Sequence, residues 1–226
     1  MKPSVEATLK EIKKLKTPLI IALLLATTGL CRAQDDVTFS SGTLDVSVPE
    51  ASPAGVSYDA TFTTAPGGGT VEDLTVQLNV SGGFNGNFSA YLVAPNGTQV
   101  TLLNQPGVSG SDPFGNMGSG FNITLADGNL AITDTLGTPG AVLTGTFAAV
   151  GSLSAVNGSV ADGTWSLLFS DLGSGGGSPT VTGVTLNLIT SVPEPANTAL
   201  AIFGLMMAGG IGVRMVRAKR PAGGLK

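Results

Sequence analysis

Between Arg32 and Arg214 this 226-residue chain carries carboxylates and no positive charge, so any chemistry of its middle segment has to come from acids. They are Asp35, Asp36, Asp45, Glu50, Asp59, Glu72, Asp73, Asp112, Asp127, Asp134, Asp162, Asp171 and Glu194. No histidine occurs anywhere, and Cys31 is the one cysteine. A serine-protease triad needs an imidazole base, which this chain cannot supply. Zinc hydrolysis lacks His and Cys ligands, and Schiff-base chemistry lacks a lysine in the same stretch. A pair of carboxylates could still cleave glycosides, one protonating the leaving oxygen and the other acting as base or nucleophile. Asp112, Asp127, Asp134, Asp162 and Asp171 are the loop or strand-end acids available for that. Asp127-Gly128 and Asp162-Gly163 are also turn pairs, so turn-making and solubility account for such acids without any reaction. No catalytic residue is assigned. Calcium suits the residues better, because hard cations take several oxygen ligands and no lysine competes for these. Asp112, Asp127 and Asp171 are the candidate ligands, although no EF-hand or calcium-binding nonapeptide repeat occurs.

The same charge distribution excludes nucleic acid as a partner, since binding a phosphate backbone rests on Lys and Arg. Without cysteine pairs, stability outside the cell has to come from packing.

The positive charges cluster at the two ends. Lys10, Lys13, Lys14 and Lys16 precede the apolar run Leu19 to Leu30, followed by Cys31-Arg32-Ala33 with small residues at its first and third positions. This is a secretory signal pattern, and cleavage by signal peptidase between Ala33 and Gln34 is expected. Leu30 stands where a lipoprotein signal carries a small residue, which argues against lipid attachment at Cys31. At the far end Val192-Pro193-Glu194-Pro195 leads into an uncharged run from Ala196 to Val213, and Arg214, Arg217, Lys219 and Arg220 follow. That run is just long enough to span a bilayer as a helix, with the basic cluster holding its end in the cytoplasm. Pro193 and Pro195 forbid helix, so the chain would leave the membrane extended. Gly204, Ala208 and Gly212 share one face of the expected helix at small-residue spacing.

Proline motif, spanning helix and basic tail, in that order, resemble the PEP-CTERM sorting signal of Gram-negative bacteria. The resemblance implies an exosortase that cuts near the motif, an inner-membrane intermediate, and delivery to the cell surface, often beside exopolysaccharide.

The expected organisation is therefore a signal peptide with a basic lead over 1–33, a β domain over 34–190, a sorting motif over 191–195, a membrane helix over 196–213 and a basic tail over 214–226. Within the domain, 33 glycines in the whole chain and scarce charge favour short strands and many turns. Period-two alternation marks the strands. Leu74, Val76, Leu78 and Val80 alternate with Thr75, Gln77 and Asn79; Tyr58, Ala60 and Phe62 with Asp59 and Thr61; Phe121, Ile123 and Leu125 with Asn122 and Thr124. Phe88, Ala90 and Leu92, a Pro95-Asn96-Gly97 turn, then Val100 and Leu102 predict a hairpin. Trp165, Leu167 and Phe169, the glycine-rich stretch Gly173 to Ser178, then Val184, Leu186 and Leu188 complete the set. Alternation puts Trp165 on a buried face rather than on a sugar-stacking surface. Asn104 to Gly120 lacks alternation and is expected to be a long surface loop. Two antiparallel sheets packed as a jelly-roll-like β-sandwich are the expected architecture.

Val71 to Val80, Phe88 to Thr98 with its Ala-Pro-Asn-Gly-Thr turn, Leu143 to Phe147, Leu153 to Gly158, and Asp162-Gly163-Thr164-Trp165-Ser166-Leu167 with Asp171 resemble, in that order, the P domain of proprotein convertases. The resemblance covers roughly 37–190. It implies a jelly-roll-like β-sandwich of the kind that usually follows a subtilisin-type protease domain and stabilises it; no protease domain is present in this sequence. The chain departs from the family by reading Ser81-Gly82-Gly83 where His is common, and Asn87-Phe88 where Asp-Leu is common.

These features predict a non-enzymatic, exosortase-sorted protein of the cell surface or extracellular matrix, acting as a structural or adhesive module. A carbohydrate-binding module with exopolysaccharide as partner is the alternative, and a carboxylate glycosidase a further one.

Overall fold

The computed structural model describes residues 32–63, 69–193 and 203–204. The chain divides into two units, Gln34–Val192 and the terminal segments Met1–Ala33 with Pro193–Lys226. The first of these units is all-β.

Its strands are β1 (Arg32–Ser40), β2 (Val46–Ser47), β3 (Ser52–Phe62), β4 (Thr70–Ser81), β5 (Phe88–Val93), β6 (Gln99–Asn104), β7 (Gly120–Leu125), β8 (Leu143–Phe147), β9 (Gly163–Asp171) and β10 (Thr180–Pro193). They form two sheets, one ordered β1-β10-β4-β7-β8 with β2 also paired to β10, the other ordered β3-β9-β5-β6. The alternating residues explain the layering. Leu74, Val76, Leu78 and Val80 on β4 pair in register with Leu188, Leu186, Val184 and Val181 on β10. Val76, Leu78 and Val80 pair on the other side with Leu125, Ile123 and Phe121 of β7. All of these side chains are buried.

The facing sheet contributes Ala60, Phe62, Phe88, Ala90, Leu92, Trp165, Leu167 and Phe169 to the same core. Aromatic rings bridge the layers: Phe88 of β5 lies 5.5 Å from Phe121 of β7 and 6.2 Å from Phe169. Trp165 meets Phe62 edge-on at 6.3 Å, is fully buried, and donates its indole N–H to the Ala161 carbonyl at 3.0 Å. An apolar ring with its one polar atom satisfied suits a core position.

The β5–β6 hairpin closes as its residues require. Gly97 takes φ 84°, Gly97 N–H donates to Ala94 O, and Thr98 N–H donates to the Asn96 side chain at 2.9 Å. An L side chain at Gly97 would be strained there.

One expectation needs correction. The sandwich is not wholly antiparallel, because β8 runs parallel to β7 with Phe121 opposite Leu143 and Leu125 opposite Phe147. Alternation reports which face a residue takes, not strand direction. The crossover that a parallel pair demands is the segment between them, anchored by buried Ile132 in a 3-10 turn and by an Ala131–Ala148 bridge.

The segment between Asn104 and Gly120 is a loop, as expected, and buried side chains anchor it. Asn85 and Asn116 are 1% and 0% exposed and hydrogen-bond to each other at 3.2 Å. Asn85 exchanges bonds with Gly120 N–H (2.7 Å) and Gly120 O (3.0 Å). Asn116 accepts from Gly118 N–H (2.9 Å) and donates to Thr135 O (3.0 Å). Side-chain amides supply here the backbone partners that a strand ladder would otherwise provide.

Among the described residues no helix is long and apolar enough to cross a membrane. The expected membrane segment 196–213 lies outside them apart from Phe203 and Gly204.

Candidate functional site

The acids of the domain fall into different local settings, and three of them show the contrast. Asp112 makes a turn within the long loop: its Oδ1 accepts from Phe114 N–H at 3.1 Å and Gly115 N–H at 3.0 Å. Asp127 reaches across to the 3-10 turn Leu153–Val156. There it accepts from Leu153 N–H and Ser154 N–H, each at 2.9 Å, and from the Ser152 hydroxyl at 2.8 Å. Desolvation would raise its pKa, but these bonds from Leu153, Ser154 and Ser152 outweigh it and hold the carboxyl below the usual aspartate range. The otherwise unmatched N–H groups of that turn find their acceptor in Asp127, a capping role.

Asp171 is different. It ends β9 in the middle of its sheet, opposite Ser52 of β3 on one side and Phe88 of β5 on the other. The residue is 1% exposed. Its Oδ1 accepts from Gly173 N–H at 3.1 Å, whereas Oδ2 is buried and has no hydrogen-bond partner among the described residues. Burial pushes the carboxyl above the usual range against the pull of the Gly173 bond, and the charge of Glu50 adds to the push.

The surroundings of Asp171 come from three segments. Glu50 Oε1 accepts from Gly175 N–H at 3.0 Å and Gly177 N–H at 2.9 Å. Asn87 donates its side-chain N–H to Gly175 O at 3.2 Å, and its own carbonyl accepts from Leu172 N–H at 2.9 Å. The Asn87 side chain packs so close to Gly173 that a Cβ there would run into it. Ala51, next to Glu50, sits in the left-handed region at φ 49° and donates its N–H to Gly173 O at 2.8 Å. A non-glycine residue pays about 1 kcal/mol for that conformation, which local contacts must offset. The glycine-rich stretch after β9, flexible by composition, is thus pinned by Glu50 on one side and Asn87 on the other.

The structure therefore does not assemble Asp112, Asp127 and Asp171 into one site. Among the described residues no three His, Cys, Asp or Glu side chains converge. The three acids serve different segments: Asp112 makes a turn within its own loop, Asp127 caps the Leu153–Val156 turn, and Asp171 ends β9, where its Oδ2 is, among the described residues, the buried side-chain polar atom without a hydrogen-bond partner. Sequence reading missed Glu50 and Asn87, which lie far from Asp171 along the chain. The signal for them was the run of glycines right after a strand-ending aspartate, whose bare N–H groups need acceptors.

A second feature is a shallow groove of about 540 Å³ on the larger sheet, lined among others by Ser40, Thr43, Asn79, Asn122, Thr182 and Thr185. Its polar groups are hydroxyls and amides. Trp165 lies in the core and offers no ring to it.

Of the terminal motifs, Ala33 and Gln34 fall at the start of β1, and Val192 and Pro193 are the last residues of β10. Glu194, Pro195, Arg214, Arg217, Lys219 and Arg220 lie outside the described residues.

What fold and site define together is an all-β sandwich with one buried, half-satisfied carboxylate at a strand end. No known family's model matches the chain, and no curated protein matches it. Among solved structures it is similar to a serine protease of Aeromonas sobria, with 15% identity and a TM-score of 0.47 over 74% of this chain and 29% of that one. It is likewise similar to that protease in complex with the chaperone ORF2, with 15% identity and a TM-score of 0.48 over 76% and 29%. The chain thus spans less than a third of the length of these solved chains.

Proposed function

We propose that this chain is an exported, exosortase-sorted protein of the bacterial cell surface or extracellular matrix. Its jelly-roll-like, P-domain-like sandwich serves as a structural or adhesive module rather than as an enzyme. The observation that carries the reading is the placement of every Lys and Arg at or before Arg32 or at or after Arg214, flanking an apolar run at each end and a Val192-Pro193-Glu194-Pro195 motif. The lack of any histidine or basic residue between them supports a non-catalytic role. Signal peptidase and an exosortase are the partners that this arrangement implies, with the run from Ala196 to Val213 as a temporary membrane helix.

The test is fractionation of the full chain expressed with and without a matching exosortase, together with N-terminal sequencing of the exported form. The reading expects a mature N-terminus at Gln34 and exosortase-dependent release from the inner membrane. Retention of Met1 to Leu30, or the same membrane-bound product in both hosts, would contradict it.

The groove favours a second reading, binding of a neutral polysaccharide. Amides and hydroxyls such as Asn79, Asn122 and Thr185 match sugar hydroxyls without the charge that would select a phosphate or sulfate. Pull-down on neutral exopolysaccharide that is lost in Asn79→Ala/Asn122→Ala would establish it, and equal retention of that variant would remove it.

A further inference from the structure

The outward side chains of a sandwich are normally polar, and the smaller sheet departs from that rule at its centre. On β9 the core takes Trp165, Leu167 and Phe169, so Ser166 and Leu168 point outward; on β5 it takes Ala90 and Leu92, so Tyr91 and Val93 do. β9 and β5 are the central strands of that sheet. Register sets Tyr91 opposite Leu168 and Val93 opposite Ser166. The result is a small apolar patch of Tyr91, Leu168 and Val93, each half-buried on a face where alternation calls for polar residues. The chain's other tyrosine, Tyr58, packs instead against Phe39 at 6.4 Å.

A polar rim surrounds the patch. Ser57 of β3 lies opposite Leu168, and Asp59 of the same strand opposite Ser166. On the other side Thr101 and Gln99 of β6 lie opposite Tyr91 and Val93. Two rows thus cross the whole sheet, Ser57-Leu168-Tyr91-Thr101 and Asp59-Ser166-Val93-Gln99, each about 14 Å long at the usual strand spacing. Asp59 is exposed and held in place, because its Oδ1 accepts the Ser166 hydroxyl at 2.6 Å.

We propose that this face binds a short stretch of a neutral glycan, with Tyr91 and Leu168 against the C–H face of a sugar ring and with Asp59, Ser166, Thr101 and Gln99 bonding its hydroxyls. A pyranose is apolar on its faces and polar around its edge, which matches an apolar centre inside a rim of hydroxyl, amide and carboxylate groups. Charge narrows the class. Asp59 is the one charge in the two rows, and no lysine, arginine or histidine lies between Arg32 and Arg214 to attract an acidic glycan or a phosphate. Area argues against a protein as the occupant. Three half-buried side chains offer no more than roughly 200 Å² of apolar surface, against the ~800 Å² that each partner of a stable protein pair buries. The bond from Ser166 presets the Asp59 carboxylate, which lowers the ordering cost of binding. The site lies on the opposite sheet from the groove lined by Asn79 and Asn122, and it depends neither on that reading nor on the sorting reading.

Calorimetric titration of the purified full chain, in a detergent without a sugar headgroup, tests the site with gluco-, manno- and galacto-oligosaccharides and with oligogalacturonate as the acidic counterpart. The expected result is binding of at least one neutral series, tightening with oligosaccharide length, and no binding of oligogalacturonate. Tyr91→Ser should weaken binding about tenfold or more, whereas Tyr91→Phe, which keeps the ring, should stay within about threefold of wild type. Asp59→Ala should weaken it about fivefold, and because Asp59 is exposed this variant keeps the test decisive even if Tyr91→Ser fails to fold. Asn79→Ala/Asn122→Ala should leave it unchanged. Absence of heat with every neutral series would overturn this site together with the groove reading. Binding lost in Asn79→Ala/Asn122→Ala but kept in Tyr91→Ser and Asp59→Ala would overturn this site alone. Concentration-dependent dimerisation that Tyr91→Ser abolishes, with no sugar heat, would overturn it as well and assign the face to a second copy of the chain.

Discussion

Replacing Asn116 with alanine should destabilise the domain by about 3 kcal/mol, which is large for a polar residue in a segment with no strand of its own. The side chain makes three hydrogen bonds, with Asn85 Nδ2, Gly118 N–H and Thr135 O. Asn85 Nδ2 keeps Gly120 O as a partner after the change, so it loses little. Gly118 N–H and Thr135 O are left unmatched, and a buried group left so costs about 1–3 kcal/mol. Thr135 is only half-buried and can take water, which places the sum in the lower half of the combined range of about 2–6 kcal/mol. Urea unfolding of wild type and variant, followed by tryptophan fluorescence, measures the loss as a shift in midpoint at constant slope. Asn122→Ala on the exposed face of β7 is the control and should stay within about 0.5 kcal/mol. A double-mutant cycle with Asn85→Ala should give a coupling of about 0.5–3 kcal/mol, as residues in one buried network do. A loss under about 1 kcal/mol for Asn116→Ala with no coupling to Asn85 would refute the view that this pair organises the segment.

Two further outcomes follow from the core and from the cap. Trp165→Ala should cost about 3–5 kcal/mol, as truncating a large buried aromatic does, and an unchanged unfolding midpoint would remove Trp165 from the core. Asp127→Asn should destabilise by about 1 kcal/mol near neutral pH, because an amide nitrogen replaces one of the two oxygens that accept from Leu153 and Ser154. Because the folded-state pKa of Asp127 is depressed, its contribution is present above the unfolded value of about 3.9 and is lost as pH falls through the folded value. Wild type and variant should therefore converge in stability in strong acid, and a gap that stays constant down to that range would show that the carboxylate charge is irrelevant.

Much of the sandwich was legible because its strands bury one face. Leu74 to Val80 and Trp165 to Phe169 announce their inward positions by period two, and the register pairs them as that pattern requires. The hairpin at Pro95-Asn96-Gly97 was legible because a glycine with positive φ leaves few choices for the turn. Direction was not legible: Leu143 to Phe147 reads the same whether it pairs parallel or antiparallel, and the β7–β8 crossover decides. The segment from Asn104 to Gly120 read as a loop because its order comes from two asparagines, and polar residues carry no burial period. The cluster at Asp171 was half legible. An aspartate before a glycine run is visible, but Glu50 and Asn87 reach it only through the pairing of β9 with β3 and β5, which brings distant chain segments to one end of a sheet.

The central claim is that the C-terminal motif is a processing signal and not merely a helix boundary. Changing Pro193, Glu194 and Pro195 to alanine leaves the apolar length from Ala196 to Val213 untouched, so insertion should proceed as in the wild type. In a host carrying the matching exosortase, gel mobility and fractionation of the two forms give the decisive comparison. The account predicts that the wild type loses its tail and reaches the surface while the triple variant accumulates as an uncleaved, membrane-bound precursor. Equal tail retention in both forms would contradict it and reduce Val192 to Pro195 to the point where an ordinary anchor begins.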